Sequence, residues 1–272
     1  MRTIAVLLSL SLLLGGCSTV DKWFKSGPKA VEVMPEEDLY KKAKEKLDRG
    51  AYTRAIELYQ ALETRFPFGR YGPKVLLDLA WAYYKQGDAE AGLAVLERFF
   101  KRYPTHARLD YAWYLRGLIH MSQGLGFVER YFPIDLTKRD VSPLADAYQD
   151  FVTVVERFPD SEYADKARQR LTGVLTLIAT HEYHVADYYF RRGAYLAAAN
   201  RAAHIVRNYP RTRVVPHALR LMAEAYHRLE LEDLAAQAEK TYALNYGQSE
   251  PPPLRHGPRT LLGWMFWLFR WD

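Results

Sequence analysis

An all-α chain, a solenoid of five helix pairs, is the fold class that three observations in these 272 residues predict. First, four segments end in an aromatic followed by proline: Phe66-Pro67, Tyr103-Pro104, Phe158-Pro159 and Tyr209-Pro210. A fifth, Tyr246-Gly247, keeps the aromatic and changes the helix stopper. Second, the position seventeen residues before each stopper is Gly50, Gly87 or Gly193, with Ser142 and Glu230 as exceptions. Third, no segment alternates apolar and polar residues with a period of two, while Ala, Leu, Glu and Arg are abundant, which suits helices.

The elements follow in order. Each glycine ends one helix, and a second helix runs from there to the aromatic. Small residues recur seven before the turn, at Ala43, Ala80, Ala186 and Ala223, and five after it, at Ala55, Gly92, Ala147, Ala198 and Ala235. Two helices approach closely only where side chains are small, so this recurrence is a packing rule. Bulky residues fill the spaces between: Tyr83, Tyr189 and Tyr226 before the turn, Tyr59, Leu96 and Phe151 after it. The pattern is that of tetratricopeptide repeats of about 34 residues. In the third repeat Gly117 takes the alanine position and Gly124 the expected turn, so residues 124–141 are an insertion between its two helices. Long loops in compact folds are usually functional or disordered. The fourth repeat opens with a long helix, at about 163–192.

Ahead of the repeats, Arg2 precedes an apolar run from Ile4 to Leu14. The run has signal-peptide length and is too short to span a bilayer. It ends in Leu14-Gly15-Gly16-Cys17, around the only cysteine of the chain. This resembles a bacterial lipoprotein box, which implies cleavage before Cys17 and a covalent lipid on its thiol and amine. By the same resemblance, Ser18 favours the outer membrane over the inner. The expected organisation is a signal peptide at 1–16, a lipidated linker at 17–34, front repeats at 35–161, back repeats at 162–248 and a Pro-rich, aromatic tail at 249–272.

The composition is that of a folded protein, 49% hydrophobic and 26% charged. A single cysteine excludes an intrachain disulfide. The formal charge of +6 is a mild basic excess, and with the export signal it argues against nucleic acid as a partner. His181-Glu182-Tyr183-His184 has one residue too few after the acid for a zincin motif. No nucleophile elbow, phosphate loop or catalytic cysteine is present, and the chain is not expected to be an enzyme. No cofactor is expected beyond the lipid on Cys17.

Stacked helix pairs present the first helix of each repeat on one face. In the front repeats that face is expected to carry Tyr40, Trp81, Tyr84, Tyr111 and Tyr114, edged by Lys44, Lys74 and Lys85. Aromatics supply contact area at low entropic cost, and lysines supply anion contacts. The group suits an extended peptide ending in an aromatic and a carboxylate. The competing expectation is that several of these rings only pack between repeats. In the back repeats the matching face carries Tyr183, Asp187, Phe190, Arg191, His217, Arg220, Glu224 and His227, which suits a folded partner better.

Several stretches then carry a closer resemblance: Phe66-Pro67-Phe68-Gly69-x-Tyr71, Leu77-Asp78-Leu79-x-x-Ala82-Tyr83-Tyr84-Lys85, Pro104-Thr105-His106 and Asp110-Tyr111-x-x-Tyr114-x-Arg116-Gly117-Leu118. To these add Arg139-Asp140 and Tyr183-x-Val185-Ala186-x-Tyr188-Tyr189-x-x-Arg192-Gly193-Ala194. With the lipobox and the insertion, the chain resembles the BamD/ComL family of outer-membrane assembly lipoproteins from about Pro35 to Gly247. The resemblance implies a lipid-anchored, periplasm-facing subunit. Its implied partners are the POTRA domains of BamA, other assembly lipoproteins and the C-terminal signals of unfolded outer-membrane proteins. It also implies partner docking at Arg192, Asn200 and Arg201, with Arg201 in a salt bridge to a POTRA domain. A secretin pilotin or a peptidoglycan-associated division factor is the alternative. One part departs from the family pattern. Trp264, Phe266, Trp267, Phe269 and Trp271, with Arg259 and Arg270, form a tail that reads either as a membrane-interface segment or as a cap on the last repeat.

Overall fold

The computed structural model describes residues 34–123 and 140–254. Cys17, residues 124–139 of the insertion and the aromatic tail residues Trp264 to Trp271 lie outside them. Ten helices are present among the described residues: α1 (Glu36–Asp48), α2 (Tyr52–Arg65), α3 (Gly72–Gln86), α4 (Ala89–Arg102), α5 (Leu109–Ser122), α6 (Ser142–Arg157), α7 (Ala164–Arg191), α8 (Tyr195–Asn208), α9 (Val215–Arg228) and α10 (Glu232–Tyr246). No strand occurs among them. No helix among them is long and apolar enough to cross a membrane.

The punctuation read from the sequence has a backbone cause at each position. Phe66, Tyr103, Phe158 and Tyr209 each cap the C-terminus of a helix, with φ of −128°, −132°, −133° and −127°. A following proline ring clashes with a helical predecessor, so the aromatic leaves the helical region and the helix stops there. The other turns are left-handed. Gly50, Gly87 and Gly193 have φ of 74°, 92° and 77°, and Glu230 occupies the same place with φ of 60°. After α1, Gly50 N–H donates to Leu47 O and Ala51 N–H to Lys46 O. The same pair of bonds recurs from Gly193 to Phe190 and Ala194 to Tyr189, and from Glu230 to His227 and Leu231 to Tyr226. These bonds satisfy carbonyls that a helix end otherwise leaves open.

The chain forms two compact units, the first ending at Gln86 and the second beginning at Gly87. Within the second unit α6 packs directly on α7, so the front and back repeats meet there helix against helix. In the first unit α1 packs on α2 and α3, and α2 on α3. In the second unit each helix from α4 to α10 packs on the next, and α7 also meets α9. Packing of neighbours in sequence is the organisation of a repeat solenoid. The small residues sit at these crossings: Ala43, Ala55, Ala80, Ala147, Ala186, Ala198 and Ala235 are fully buried. Gly117 is the most demanding of them. A Cβ there would stand 2.6 Å from Cε1 of Phe151, which is itself buried.

Candidate protein-docking surfaces

In the first unit the sequence motif Phe66-Pro67-Phe68-Gly69-x-Tyr71 forms a turn that is tied to the start of α1. Glu36 Oε1 accepts from Tyr71 N–H at 3.0 Å, serving an open donor beside the first turn of α3. Gly69 gives this carboxylate its room, since a Cβ would lie 2.1 Å from Glu36 Oε1. Phe68 at the tip is 96% exposed.

Beside this turn Tyr40 stacks on Tyr71, with ring centres 4.5 Å apart and planes 15° from parallel. The Tyr40 hydroxyl donates to Asp78 at 2.9 Å, and the buried Tyr59 donates to the same oxygen at 3.2 Å. Burial pushes the Asp78 carboxyl up despite these bonds, and burial likewise pushes both phenols up. Tyr40 is therefore held by the α1–α3 junction and offers only part of its ring. Lys44 pairs with Asp48 at 3.0 Å, and Lys74 lies 6.0 Å from the Tyr71 ring. One turn before the end of α3, Trp81 and Tyr84 meet at 5.3 Å, with the Lys85 ammonium 5.2 Å over the indole. Trp81, Tyr84 and Lys85 are brought together as the sequence suggested, each half-buried.

In the second unit Tyr111 and Tyr114 each stand 5.2 Å from Tyr163. Tyr111 is half-buried, under the Arg108 guanidinium at 5.2 Å. Tyr114 departs from the expected groove. It is buried against Phe151 and Tyr163 and has no free face. Leu77 and Leu118, on the same helices, are also buried. The reason is that an inner helix of a stack is covered by the helix before it and the helix after it, so its apolar stripe is wider than one face.

A charged cluster joining α5 to α6 was missed. Asp150 Oδ1 accepts from Arg116 Nε at 2.9 Å and Nη2 at 2.7 Å, and its Oδ2 lies 2.7 Å from His120 Nδ1. Arg116 also reaches Glu97 at 3.1 Å and lies 4.0 Å over the Trp113 ring. The signal was available: counting from the turns, Asp150 occupies the register of Leu58, Val95 and Ala238, all buried. An acid at a core position needs a partner.

Arg201 stands at that same register in the next repeat, and its Nη1 pairs with Glu182 Oε2 on α7 at 2.8 Å. The guanidinium thus already has a carboxylate within the chain. Asn200 is exposed, and Arg192 is exposed at the end of α7, 6.0 Å from the Tyr188 ring. His181 and His184 lie on α7, and no metal-holding group of three acidic, His or Cys residues occurs among the described residues.

A family model described as "YfiO: Outer membrane lipoprotein" matches residues 32–241. The chain belongs to this family. Its curated relatives include the outer membrane protein assembly factor BamD of Vibrio cholerae serotype O1, 39% identical over 244 residues, covering 90% of this chain and 98% of that protein. The protein of the same name from Neisseria gonorrhoeae is 37% identical over 269 residues, covering 98% of this chain and 100% of that protein. Among solved structures, the MamA protein aligns with a TM-score of 0.34 at 15% identity, over 80% of this chain and 98% of MamA.

Proposed function

We propose that the chain is a non-enzymatic subunit of outer-membrane protein assembly. In this reading it binds C-terminal signals of unfolded barrels through its front repeats and docks to POTRA domains of BamA through its back repeats. The name that these relatives carry, outer membrane protein assembly factor, supports the assembly role. The observation that carries the peptide assignment is the Trp81–Tyr84–Lys85 group on α3. It sets two ring surfaces beside an ammonium, which is the complement of a peptide ending in an aromatic and a carboxylate. Arg70 and Tyr71 in the turn before α3, with Lys74 in its first turn, offer the same chemistry. The lipid on Cys17, with its acyl chains in the outer membrane, completes the proposal, and the acyl mass on the N-terminal peptide is its check.

Trp81→Ala combined with Lys85→Ala should weaken binding of such a peptide about tenfold, close to 1.4 kcal/mol. Fluorescence anisotropy with a labelled C-terminal barrel peptide measures it, and an unchanged affinity removes α3 from the site. For docking, Arg201→Glu should sharply lower co-purification with BamA from solubilised membranes. Glu182→Gln is the companion variant. It frees Arg201 from its pair without reversing its charge, and should leave recovery of BamA intact. Equal recovery with Arg201→Glu would remove Arg201 from the interface.

A further inference from the structure

The chain beyond α10 turns back over the second unit. Gly247 ends α10 with φ of 73°, a left-handed conformation that favours glycine. The Tyr242 hydroxyl then donates to the Ser249 carbonyl. The Glu250 carboxylate meets Arg220 Nη1 at 3.2 Å, and His217 Nε2 lies 2.9 Å from the Pro252 carbonyl. Leu254 packs against the buried cluster of Ala179, Ala202, Ile205, Val214 and Ala218, which Tyr183 and Leu221 also cover. Residues 249–254 thus pass from α10 across α9 towards α7.

Two features show that this is a matched fit. Three successive prolines have no N–H to give, so the segment offers carbonyls and one carboxylate. The surface beneath answers with donors: a phenol, an imidazole and a guanidinium. Burial lowers the His217 pKa, which favours the neutral ring whose Nε2–H donates to Pro252. The second feature is periodicity. A polyproline II strand has three residues per turn, so positions three apart share a face. Pro251 and Leu254 are half-buried, while Pro252 and Pro253 between them are exposed.

We infer that the α9 surface around His217 and Arg220, with the adjoining apolar seat of Leu254, is a recognition site for an extended proline-rich segment. The segment it takes has a carboxylate just before its prolines and an apolar residue three after the first of them. Residues 249–254 are its resident occupant, and a partner segment of the same chemistry enters by displacing them. The inference is independent of the assembly role proposed above and survives a failed BamA recovery. A short tether gives its occupant an effective concentration of about a millimolar, so the intact chain screens the site from weaker ligands.

The test alters the strap and leaves the surface whole. In the full chain, Glu250→Lys with Leu254→Ser loosens the resident segment. The probe is a labelled peptide of the wild-type sequence Ser-Glu-Pro-Pro-Pro-Leu. It should bind this variant at least about tenfold more tightly than the unaltered chain. Adding His217→Ala should abolish that gain. Leu254→Ser alone, with a melting curve, provides the same comparison with the least change to the fold. Equal affinity for the altered and unaltered chains, or a gain that persists without His217, overturns the inference.

Discussion

Asp150→Ala should destabilise the second unit by about 3–5 kcal/mol, the usual cost of removing one partner from a buried ion pair. The carboxylate side chain is 2% exposed and serves both Arg116 and His120, whose side chains are 20% and 15% exposed. Its loss leaves two donors facing a pocket from which water is largely excluded. Glu97 holds only one arm of the guanidinium and is itself mostly exposed, so it compensates little. In a unit of this size the change corresponds to a fall in melting temperature of about 10 °C. Urea unfolding of the alanine variant measures it, and a loss below about 1 kcal/mol would show that the cluster contributes no more than a surface pair. Replacing Asp150, Arg116 and His120 together by apolar residues of similar volume should restore much of the loss. Buried charges are costly mainly when one is left alone.

Gly117→Ala should cost about 1–3 kcal/mol, a range typical of added volume in a close-packed core. The methyl would stand 2.6 Å from Cε1 and 2.8 Å from Cζ of Phe151. Phe151 cannot retreat, because Tyr114 lies against it and the ring is fully buried. Adding Phe151→Leu to Gly117→Ala should recover part of the loss, although Phe151→Leu alone should destabilise. A double-mutant cycle on thermal melts reads this coupling, and simple additivity would place the clash elsewhere.

Much of the fold was legible because it is written as spacing. Aromatic-proline pairs mark four helix ends through a steric rule that acts on the backbone alone, so they hold without knowledge of tertiary structure. Glu230 shows the value of the period. Its left-handed turn has no glycine to announce it and is found only by counting from the other turns. The site was less legible. Trp81, Tyr84 and Lys85 met as expected because residues three and four apart on a helix share a face. Tyr114 was misplaced because its burial comes from α6 and the residues before α7, which helix periodicity does not report. The pairing of Arg201 with Glu182 depends on how α8 crosses α7, and no local pattern encodes that crossing. Asp150 was readable as an acid in a core register and went unused.

The Arg116–Asp150–His120 cluster also bears on how this gene is able to vary. It clamps α5 to α6 on either side of residues 124–141, so the gap that segment must bridge is set by the clamp and not by the segment's own length. Closing a longer span over a fixed gap costs only about 0.6 kcal/mol for each doubling. Insertions and deletions between α5 and α6 should therefore be tolerated far more readily than at the tight turns around Gly50 or Gly193, while the two helices stay in register.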